Sequence, residues 1–364
     1  MKILYFTNIF SHYRTPIWTK LIGLKNHKIL FHFSSQSFNG VKVSKLDSNF
    51  FRGIKNIKFF GIIFWQRGVL KKVIAGDYDS LLLLGEMNIL SNWLASIIAR
   101  IRNKKVIFWG HGIYGNEKGL KKVLRLSFFR LSHYHFLYGN HAKKLLINEG
   151  FKNENLIVIY NSLDVKTQNN LYLKKSQSIN FNFIKTKKFI LFSGRLTRVK
   201  ELDLLFNALV LINKERDVLS VVIIGEGDQK KYLQNKYSKL IERKLAHFIG
   251  RIYDESKLSI YFKKANLFVS PGNIGLACMQ SLIYGTPVCT HNNMNYQMPE
   301  AECLNEGNSV LFKRGDVKSL TVAIKKGLQL KDYSETEDKC RTTILRKYTP
   351  KNQIQIIETF LESI

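Results

Sequence analysis

The chain has 364 residues, a hydrophobic content of 45% and a formal net charge of +30. This length allows two domains with their own cores, and the longest apolar run, FFGIIFW from Phe59, is far shorter than the roughly 20 residues of a membrane-spanning helix. The N-terminal segment resembles a strand more than a signal peptide, because His12 and Arg14 interrupt it. The four cysteines form no C-x-x-C pair, so neither a zinc knot nor a disulfide framework is indicated. We therefore expect a protein of the reducing cytoplasm.

The positive charge is concentrated early in the chain, where residues 1–76 contain 13 Lys or Arg and a single acidic residue, Asp47. Such a field attracts nucleic acid, an anionic membrane surface or phosphorylated substrates. Residues 50–72 mix cations with Phe, Ile and Trp, which is more typical of an interfacial membrane patch than of an RNA site. A lysine-rich solvated surface would explain part of the same excess.

Apolar runs alternate with amphipathic ones over the first 164 residues. The runs KILYFT, KILFHFS, SLLLLG and KKVIFWG predict buried strands of a parallel sheet. The segments NILSNWLASIIARIRN, residues 118–131 and NHAKKLLINEG have the spacing of helices. This alternation predicts a doubly wound α/β domain over residues 1–164.

The alternation stops after LIVIYNSLD and then resumes. Residues 165–186 are polar and rich in Asn and Lys, which predicts a linker. The runs FILFSG, LSVVIIGEG, AHFIG, ANLFVSPG and PVCTH then predict a second α/β domain over residues 187–345. Residues 346–364 predict a final amphipathic helix, which we expect to pack on the first domain.

A candidate phosphate site opens the second domain, in LFSGRLTRVKELDLL. A predicted strand ends at Gly194, and Arg195 and Lys200 follow where a helix begins. A helix N-terminus offers free N–H groups and the positive end of a dipole, and the two cations would complete a diphosphate clamp. Two solvated cations at a helix start explain the segment equally well.

The segment SPGNIGLACMQSL is a candidate sugar or phosphate loop. Gln280 lies about one turn into the predicted helix, on the side of Leu276, and its amide can hydrogen-bond ribose hydroxyls. An ordinary helix start with a polar residue remains the alternative. The backbone amides that would face a ligand belong to Asn273, Ile274, Gly275 and Leu276.

Two further strand-end turns carry candidate residues. In VVIIGEGDQKKYL, Gly225 permits a tight turn, although the segment is not G-x-G-x-x-G and a plain turn explains it. In FWGHGIYG, His111 follows a buried strand between two glycines that would let a ligand approach. Open α/β sheets bind ligands at such strand ends, so we favour a functional role for His111 over a structural one.

Taken together, these segments resemble a family 4 (group 1) glycosyltransferase with the GT-B fold of two Rossmann-like domains facing a cleft. The resemblance covers most of residues 100–330. The segments PGNIGL, YGTPV and HNN resemble a branch from bacterial surface-polysaccharide gene clusters. The matching segments are SGRLTRVKELDLLFNAL, VVIIGEGDQKKYL, FIGRIYDESKLSIYFKKANLFVSPG, IGLACMQSLIYGTPV, NSVLFKRGDVKSL, GHGIYG and IYNSLD.

The resemblance implies a donor site in the second domain. Arg195 and Lys200 match the pair that holds the diphosphate of the donor. Gln280 occupies the place of a glutamate that contacts the ribose, and we expect Gln280→Glu to be tolerated. Gly272 occupies the place of the first glutamate of the same pair, which contacts the transferred sugar. The remaining donor-site positions are Gly194, Gly225, Arg251, Ile252, Asn273, Ile274, Gly275, Leu276 and Glu300.

In the first domain the resemblance places His111 near the transferred sugar and the acceptor. The family's glycine pair near the donor phosphate is missing, and Tyr13 and Arg14 stand there as substitutes. Asn161 belongs to the segment that resembles the family's Asn-Gly-Val-Asp motif, and we place it on the acceptor side.

The function implied is transfer of a sugar from a nucleotide diphosphate sugar to a saccharide, with retention of configuration and with neither a metal nor another cofactor. His111, Arg195 and Lys200 are the expected catalytic residues. The expected acceptor is a lipid-linked oligosaccharide of cell-surface polysaccharide synthesis (lipopolysaccharide or capsule), and the protein would be peripheral at the inner face of the membrane. Since both glutamates are absent, a non-catalytic sugar-nucleotide-binding or scaffold subunit is the alternative. A nucleic-acid-binding protein is less favoured, because no RRM, KH or zinc module is visible.

Overall fold

The computed structural model describes residues 1–34, 51–174 and 179–364. Residues 35–50 of the predicted first domain, which include the first residue of the predicted membrane segment, and residues 175–178 of the predicted linker lie outside the described residues. The chain forms two compact units. The first combines Met1–Asp164 with Pro350–Ile364, and the second is Val165–Thr349.

The first unit is built on a seven-stranded parallel sheet. Its strand order is β3-β2-β1-β6-β7-β8-β9, and β4 and β5 form a separate antiparallel hairpin. The strands are β1 (Lys2–Ile9), β2 (Lys28–Ser34), β3 (Phe51–Gly53), β4 (Lys55–Phe59), β5 (Ile63–Arg67), β6 (Ser80–Leu84), β7 (Lys105–Gly110), β8 (Tyr134–Leu137) and β9 (Leu156–Val158). The helices are α1 (Thr15–Ile22), α2 (Val69–Ala75), α3 (Leu90–Ile101), α4 (Gly119–Phe129), α5 (Asn140–Asn148) and α14 (Pro350–Glu362).

The apolar runs of β1, β6 and β7 are buried on both faces because helices cover both sides of the sheet. Side chains alternate along a strand, so one face carries Leu4, Leu83 and Phe108. The other face carries Tyr5 and Trp109. Helix α14 buries its apolar side in this second core, so the last helix packs on the first unit.

The second unit is a six-stranded parallel sheet with the order β12-β11-β10-β13-β14-β15. Its strands are β10 (Lys188–Ser193), β11 (Leu219–Ile224), β12 (Ala246–Gly250), β13 (Leu267–Ser270), β14 (Val288–His291) and β15 (Ser309–Phe312). Its helices are α6 (Val165–Leu173), α7 (Leu202–Ile212), α8 (Lys230–Lys236), α9 (Ser238–Glu242), α10 (Glu255–Lys264), α11 (Leu276–Ile283), α12 (Val317–Leu330) and α13 (Ser334–Lys347). The predicted fold of two doubly wound parallel-sheet domains is confirmed.

The structure differs from the sequence interpretation at the predicted linker, residues 165–186. Residues 165–173 form α6, which belongs to the second unit. Val165 and Gln168 are buried, and the Gln168 amide donates to Glu255 on α10 over 3.0 Å. The sequence does not predict this helix, because it packs through hydrogen bonds and therefore lacks an apolar stripe. At the other end, the second unit continues to Thr349 through α13, beyond the predicted boundary at 345.

Candidate active site

The candidate donor site lies where the strand order of the second sheet reverses. β10 and β13 are neighbours at this point, and their carboxyl ends border the crevice in which such sheets bind ligands. Residues 194–200 follow β10 and residues 271–276 follow β13. The Gly272 N–H donates to the Lys200 carbonyl over 3.0 Å, which joins the two segments. The structure therefore brings together the two candidate phosphate-binding segments.

Lys200 connects the segments through its side chain as well. Its Nζ donates to the carbonyl oxygen of Asn273 over 2.6 Å and to Oδ1 of the same residue over 2.7 Å. Burial and, secondarily, the charge of Arg195 lower the pKa of Lys200 to about 8, although the Glu300 carboxylate acts in the opposite direction. Arg195 is exposed. Two neighbouring cations, one of them partly desolvated, favour an anionic ligand at this edge of the sheet.

Gly272 is required by the close approach of two backbones. A Cβ atom at this position would lie 2.2 Å from the Val199 carbonyl oxygen and 2.6 Å from the Lys200 carbonyl carbon. No side chain fits there unless the segment that carries Lys200 moves. In this chain, therefore, a glutamate at position 272 is incompatible with the backbone contact that holds the two loops together.

Gln297 positions the loop at the start of α11. Its Oε1 accepts a hydrogen bond of 2.8 Å from the Ile274 N–H, while its Nε2 donates to Thr290 Oγ1 and to the His291 carbonyl, both over 2.9 Å. Gln297 is buried, so these contacts fix the loop rigidly. Gln297 was not predictable as a site residue, because it lies 23 residues beyond Ile274 in the loop that it supports.

Glu255 places a carboxylate next to Gln280. The Gln280 amide nitrogen lies 3.4 and 3.3 Å from the two carboxylate oxygens of Glu255. Oε1 of Glu255 also accepts from the Tyr284 hydroxyl over 2.8 Å and from Gln168 over 3.0 Å. The acid that the family resemblance places at position 280 is thus replaced by an amide, but a carboxylate from the first turn of α10 lies beside it. In the sequence, Glu255 lies in the segment DESKL, which indicates a helix start but not a site residue.

This contact changes the expectation for Gln280→Glu, which sequence analysis predicts to be tolerated. The substitution would remove a donor to Glu255 and set two carboxylates against each other. We expect it to lower the free energy of unfolding by about 1–3 kcal/mol. Gln280→Ala should weaken nucleotide binding by about 1 kcal/mol.

The exchange variant Glu255→Gln/Gln280→Glu restores one acid and one amide and should recover most of the stability. Denaturant unfolding of the single variants and the exchange variant measures the coupling. If the losses of unfolding free energy in the two single variants simply add in the exchange variant, Glu255 and Gln280 are not in contact.

Four other predicted donor residues have defined surroundings. A Cβ at Gly225 would lie 1.8 Å from the Gly194 carbonyl oxygen, so the close approach of the two strand-end turns requires glycine at position 225, whereas a Cβ at Gly194 would meet only the Phe192 ring, at 3.3 Å. Arg251 is exposed and donates to the Tyr253 hydroxyl over 2.8 Å, and Ile252 beside it is half-buried.

Glu300 is buried in the short 3-10 helix Pro299–Cys303. Its charge acts on Lys200. Gly275 precedes α11 without a side-chain cap, which leaves the start of that helix open to a ligand.

In the first unit the predicted residues separate into two places. His111 and Arg14 are close enough for the Arg14 charge to act on the imidazole, and Tyr13 lies 5.9 Å from the Arg14 guanidinium, measured to the ring centroid. Asn161 is buried, and its Oδ1 accepts from the Ser162 N–H over 3.0 Å. Ser162 in turn donates to Gln353 of α14 over 2.7 Å.

Burial, with smaller contributions from the Arg14 and Arg125 charges, lowers the pKa of His111 to about 4, so the imidazole is neutral at pH 7. Of its two flanking glycines, Gly112 does not make space for a ligand. Its φ is +73°, and a Cβ there would lie 2.8 Å from Ala142 of α5. Gly112 is therefore a packing and conformational requirement, which corrects the sequence interpretation.

Across residues 1–34, 51–174 and 179–364, no three His, Cys, Asp or Glu side chains are grouped in a way that could hold a metal ion. Within the same described part of the chain, no helix combines the length and the apolar composition needed to cross a bilayer.

Residues 174–344 match the family model for Glycosyl transferases group 1. Over 138 residues the chain is 31% identical to an uncharacterized glycosyltransferase of Methanocaldococcus jannaschii, and the match covers 36% of this chain and 35% of that protein. Over 110 residues it is 29% identical to alpha-monoglucosyldiacylglycerol synthase of Streptococcus pneumoniae, and this match covers 29% of this chain and 25% of that protein. The chain thus matches about a third or less of the length of these relatives.

Solved structures match the whole chain. The apo form of the lipopolysaccharide outer core galactosyltransferase WaaB superposes with a TM-score of 0.70 at 14% identity, covering 100% of this chain and 99% of that one. HepE of Anabaena in complex with UDP superposes with a TM-score of 0.71 at 16% identity, covering both chains completely. The chain therefore has the GT-B fold, and residues 174–344 within it are similar to the group 1 glycosyltransferases.

Proposed function

We propose that the chain transfers a sugar from a nucleotide diphosphate sugar to a saccharide acceptor. The observation that carries this proposal is the contact of Lys200 with Asn273, beside Arg195, at the reversal point of the second sheet. The two cations stabilise the diphosphate as it leaves, which is the charge that such a transfer develops. The backbone N–H groups of Asn273 and Ile274, which the sequence predicts to face a ligand, instead donate to the Val199 carbonyl and to Gln297. Those of Gly275 and Leu276, at the uncapped start of α11, would bind sugar or phosphate oxygens.

Glu255 and Gln280 would hold the ribose of the donor. The carboxylate accepts hydrogen bonds from ribose hydroxyls, and the Gln280 carbonyl oxygen adds a second acceptor. The group 1 family match and the UDP bound to HepE support a nucleotide donor. Retention of the anomeric configuration and independence of metal and other cofactors follow from the family resemblance and belong to the same proposal.

The acceptor is proposed to be a lipid-linked oligosaccharide of surface-polysaccharide synthesis at the cytoplasmic face of the membrane. The likeness to an outer core galactosyltransferase and the partial match to a synthase named for a glucosyl diacylglycerol support an acceptor of this class. The basic first unit, in which one acid accompanies 13 cations over residues 1–76, supports membrane contact.

A panel of UDP-, GDP- and ADP-sugars tests the donor class. A donor at 100 times its dissociation constant should stabilise the fold by about 2.7 kcal/mol, which is visible as a raised melting temperature. Release of the nucleoside diphosphate, followed with and without isolated membranes, then separates a transferase from a non-catalytic binding subunit, the candidate favoured by the non-acidic residues at 272 and 280. Stabilisation without any release would support the binding subunit.

The membrane-contacting part is proposed to be the β4–β5 hairpin. Phe60 and Ile62 at its tip are 94% and 66% exposed, and Lys55 and Lys58 are exposed beside them. The base is anchored, because Asn56 donates to the Asn8 carbonyl over 2.7 Å. Exposed large apolar side chains next to cations are typical of an interfacial surface.

Vesicles of phosphatidylglycerol and phosphatidylcholine test this surface by co-sedimentation. Binding should depend on the anionic lipid and fall with salt. A Phe60→Ser/Ile62→Ser variant should lose it, whereas Val322→Ser, which alters an exposed apolar residue of the second unit, should not. Changing Lys55, Lys58, Lys71 and Lys72 together to Glu should also release the protein. Equal binding to purely neutral vesicles would count against the proposal.

A further inference from the structure

Glu201 has a strained backbone conformation directly after Lys200. Its φ of +48° and ψ of +38° lie in the left-handed region, which residues with a Cβ rarely adopt. Glu201 ends the 3-10 helix Arg198–Lys200 and precedes α7, so its backbone sets the direction in which the Lys200 segment runs. Strained conformations of this kind persist where the surrounding contacts hold them, and they cluster at functional sites. The contacts of the Glu201 side chain therefore bear on the placement of Lys200.

Arg314, in the turn after β15, is the partner of the Glu201 side chain. The carboxylate makes no capping hydrogen bond to α7, and its Oε1 instead accepts from Nη2 of Arg314 over 2.5 Å. The side chains of Arg314 and Glu201 are 32% and 24% exposed. A hydrogen-bonded ion pair that is partly shielded from water is stronger than a fully exposed one. The pair therefore ties the turn after β15 to the start of α7.

The same guanidinium stacks on the ring of Tyr296. Cζ of Arg314 lies 3.8 Å from the ring centroid, which is a close cation–π contact. Tyr296 ends a short 3-10 helix, and the next residue is Gln297, whose side chain accepts from the Ile274 N–H over 2.8 Å. Arg314 therefore also fixes the segment that supports the loop at the start of α11.

One guanidinium thus contacts the supports of both candidate donor loops within the second unit. It holds the residue after Lys200 through an ion pair, and it holds the residue before Gln297 through a ring contact. Arginine suits this place because its planar group can bond a carboxylate at its edge while its face lies on an aromatic ring. A lysine would keep the charge but not this double contact. Since small displacements of positioning groups are costly in the transition state, the contact has consequences for the donor site.

We infer that Arg314 is a positioning residue for the donor site. It fixes the Lys200 segment and the loop at Ile274 relative to each other, and it acts through Glu201 and Tyr296 rather than by touching the ligand. The inference deepens the proposed function and rests on it for the identity of the ligand. The order of the two loops does not depend on that identity, so it can be measured without any ligand.

The experiment compares Arg314→Gln with the wild-type full chain in two measurements. Amide hydrogen exchange without ligand should become about 10-fold faster in residues 194–201 and 272–276, the scale of one lost hydrogen bond to a charged group. Calorimetry with UDP, GDP and ADP should show a dissociation constant raised about 10-fold for whichever of them binds. Arg243→Gln is the matched control, since it breaks the ion pair of Arg243 with Asp217 in the same unit and should change neither measurement.

Glu201→Gly separates a positioning role from a merely structural one. Glycine adopts a positive φ without strain, so the melting temperature should not fall, whereas nucleotide binding should weaken. The double variant Arg314→Gln/Glu201→Gly should bind nucleotide no more weakly than Arg314→Gln alone, because both substitutions remove the same ion pair.

Unchanged hydrogen exchange and unchanged nucleotide affinity in Arg314→Gln would overturn the inference. Faster exchange in a chain that keeps its full nucleotide affinity would also overturn it, because Arg314 would then only stabilise the fold. If no nucleoside diphosphate binds to the wild type while exchange of both loops rises in Arg314→Gln, only the proposed function fails. If the wild type binds nucleotide and turns over a nucleotide sugar, and Arg314→Gln does so equally well, only the inference fails.

Discussion

Replacement of Lys200 by alanine should lower turnover about 100- to 1000-fold, the usual effect of removing one preorganised donor at a developing negative charge. The reason is geometric as well as electrostatic, because Lys200 also holds Asn273 through two hydrogen bonds. Arg195→Ala should also lower turnover strongly, without the loss of loop order. Initial rates of nucleoside diphosphate release measure both.

Lys231→Ala is the matched control, since Lys231 is an exposed cation of the same unit and should leave turnover unchanged. If both Lys200→Ala and Arg195→Ala retain the wild-type rate, the diphosphate does not bind beside these two residues.

Because the pKa of Lys200 is lowered, diphosphate binding should depend on pH. Free Lys200 loses its proton at a pKa of about 8, and a bound diphosphate raises that pKa because it favours the charged form. Binding is therefore strongest below pH 8 and weakens as the pH rises above it. Calorimetry with UDP between pH 7 and pH 9 should show this loss in the wild type and little of it in Lys200→Arg, whose guanidinium stays charged.

The second large effect is expected at Gly272. Gly272→Glu would restore the acid that the family resemblance places there, yet the added Cβ would meet the backbone of Val199 and Lys200. We expect a loss of about 3 kcal/mol or more in the free energy of unfolding, the upper part of the range for overpacking, together with loss of nucleotide binding. Gly272→Ala should show most of the same loss, because the clash begins at Cβ.

Gly275→Ala is the control for stability. The nearest atom to a Cβ at this position is Cγ of Met298 at 3.8 Å, an ordinary contact, so its melting temperature should stay close to that of the wild type. Denaturant unfolding of the three variants makes the comparison. A Gly272→Glu protein that is as stable as the wild type and more active would contradict the proposal that the backbone contact requires glycine at position 272.

Much of the fold was predictable because buried parallel strands have continuous apolar runs. The ends of the strands followed from the same runs, so the segments after Ser193 and Ser270 were predictable as candidate ligand loops from the sequence. The hairpin at 55–67 was not predicted, because its cations and aromatics alternate without a clear period. The helix α6 was missed because its buried contacts are polar.

The site was less accessible to sequence reasoning, because its decisive contacts join residues that are distant in the chain. Glu255 lies 25 residues before Gln280, and the backbone of Lys200 meets Gly272 across two neighbouring strands. A resemblance between motifs concerns one position at a time, so it indicates only that Gly272 and Gln280 are not acidic. The structure gives each a physical reason, a neighbouring carboxylate for one and a close backbone approach for the other.

We propose that the strand-end loops of the second unit hold the diphosphate of a nucleotide sugar. The decisive measurement is a crystal structure of the chain grown with UDP. We expect the β-phosphate to lie within about 3 Å of Nζ of Lys200 or the Arg195 guanidinium, with the ribose hydroxyls facing Glu255 and Gln280. UDP bound elsewhere, with its phosphates away from residues 194–200 and 272–276, would contradict it.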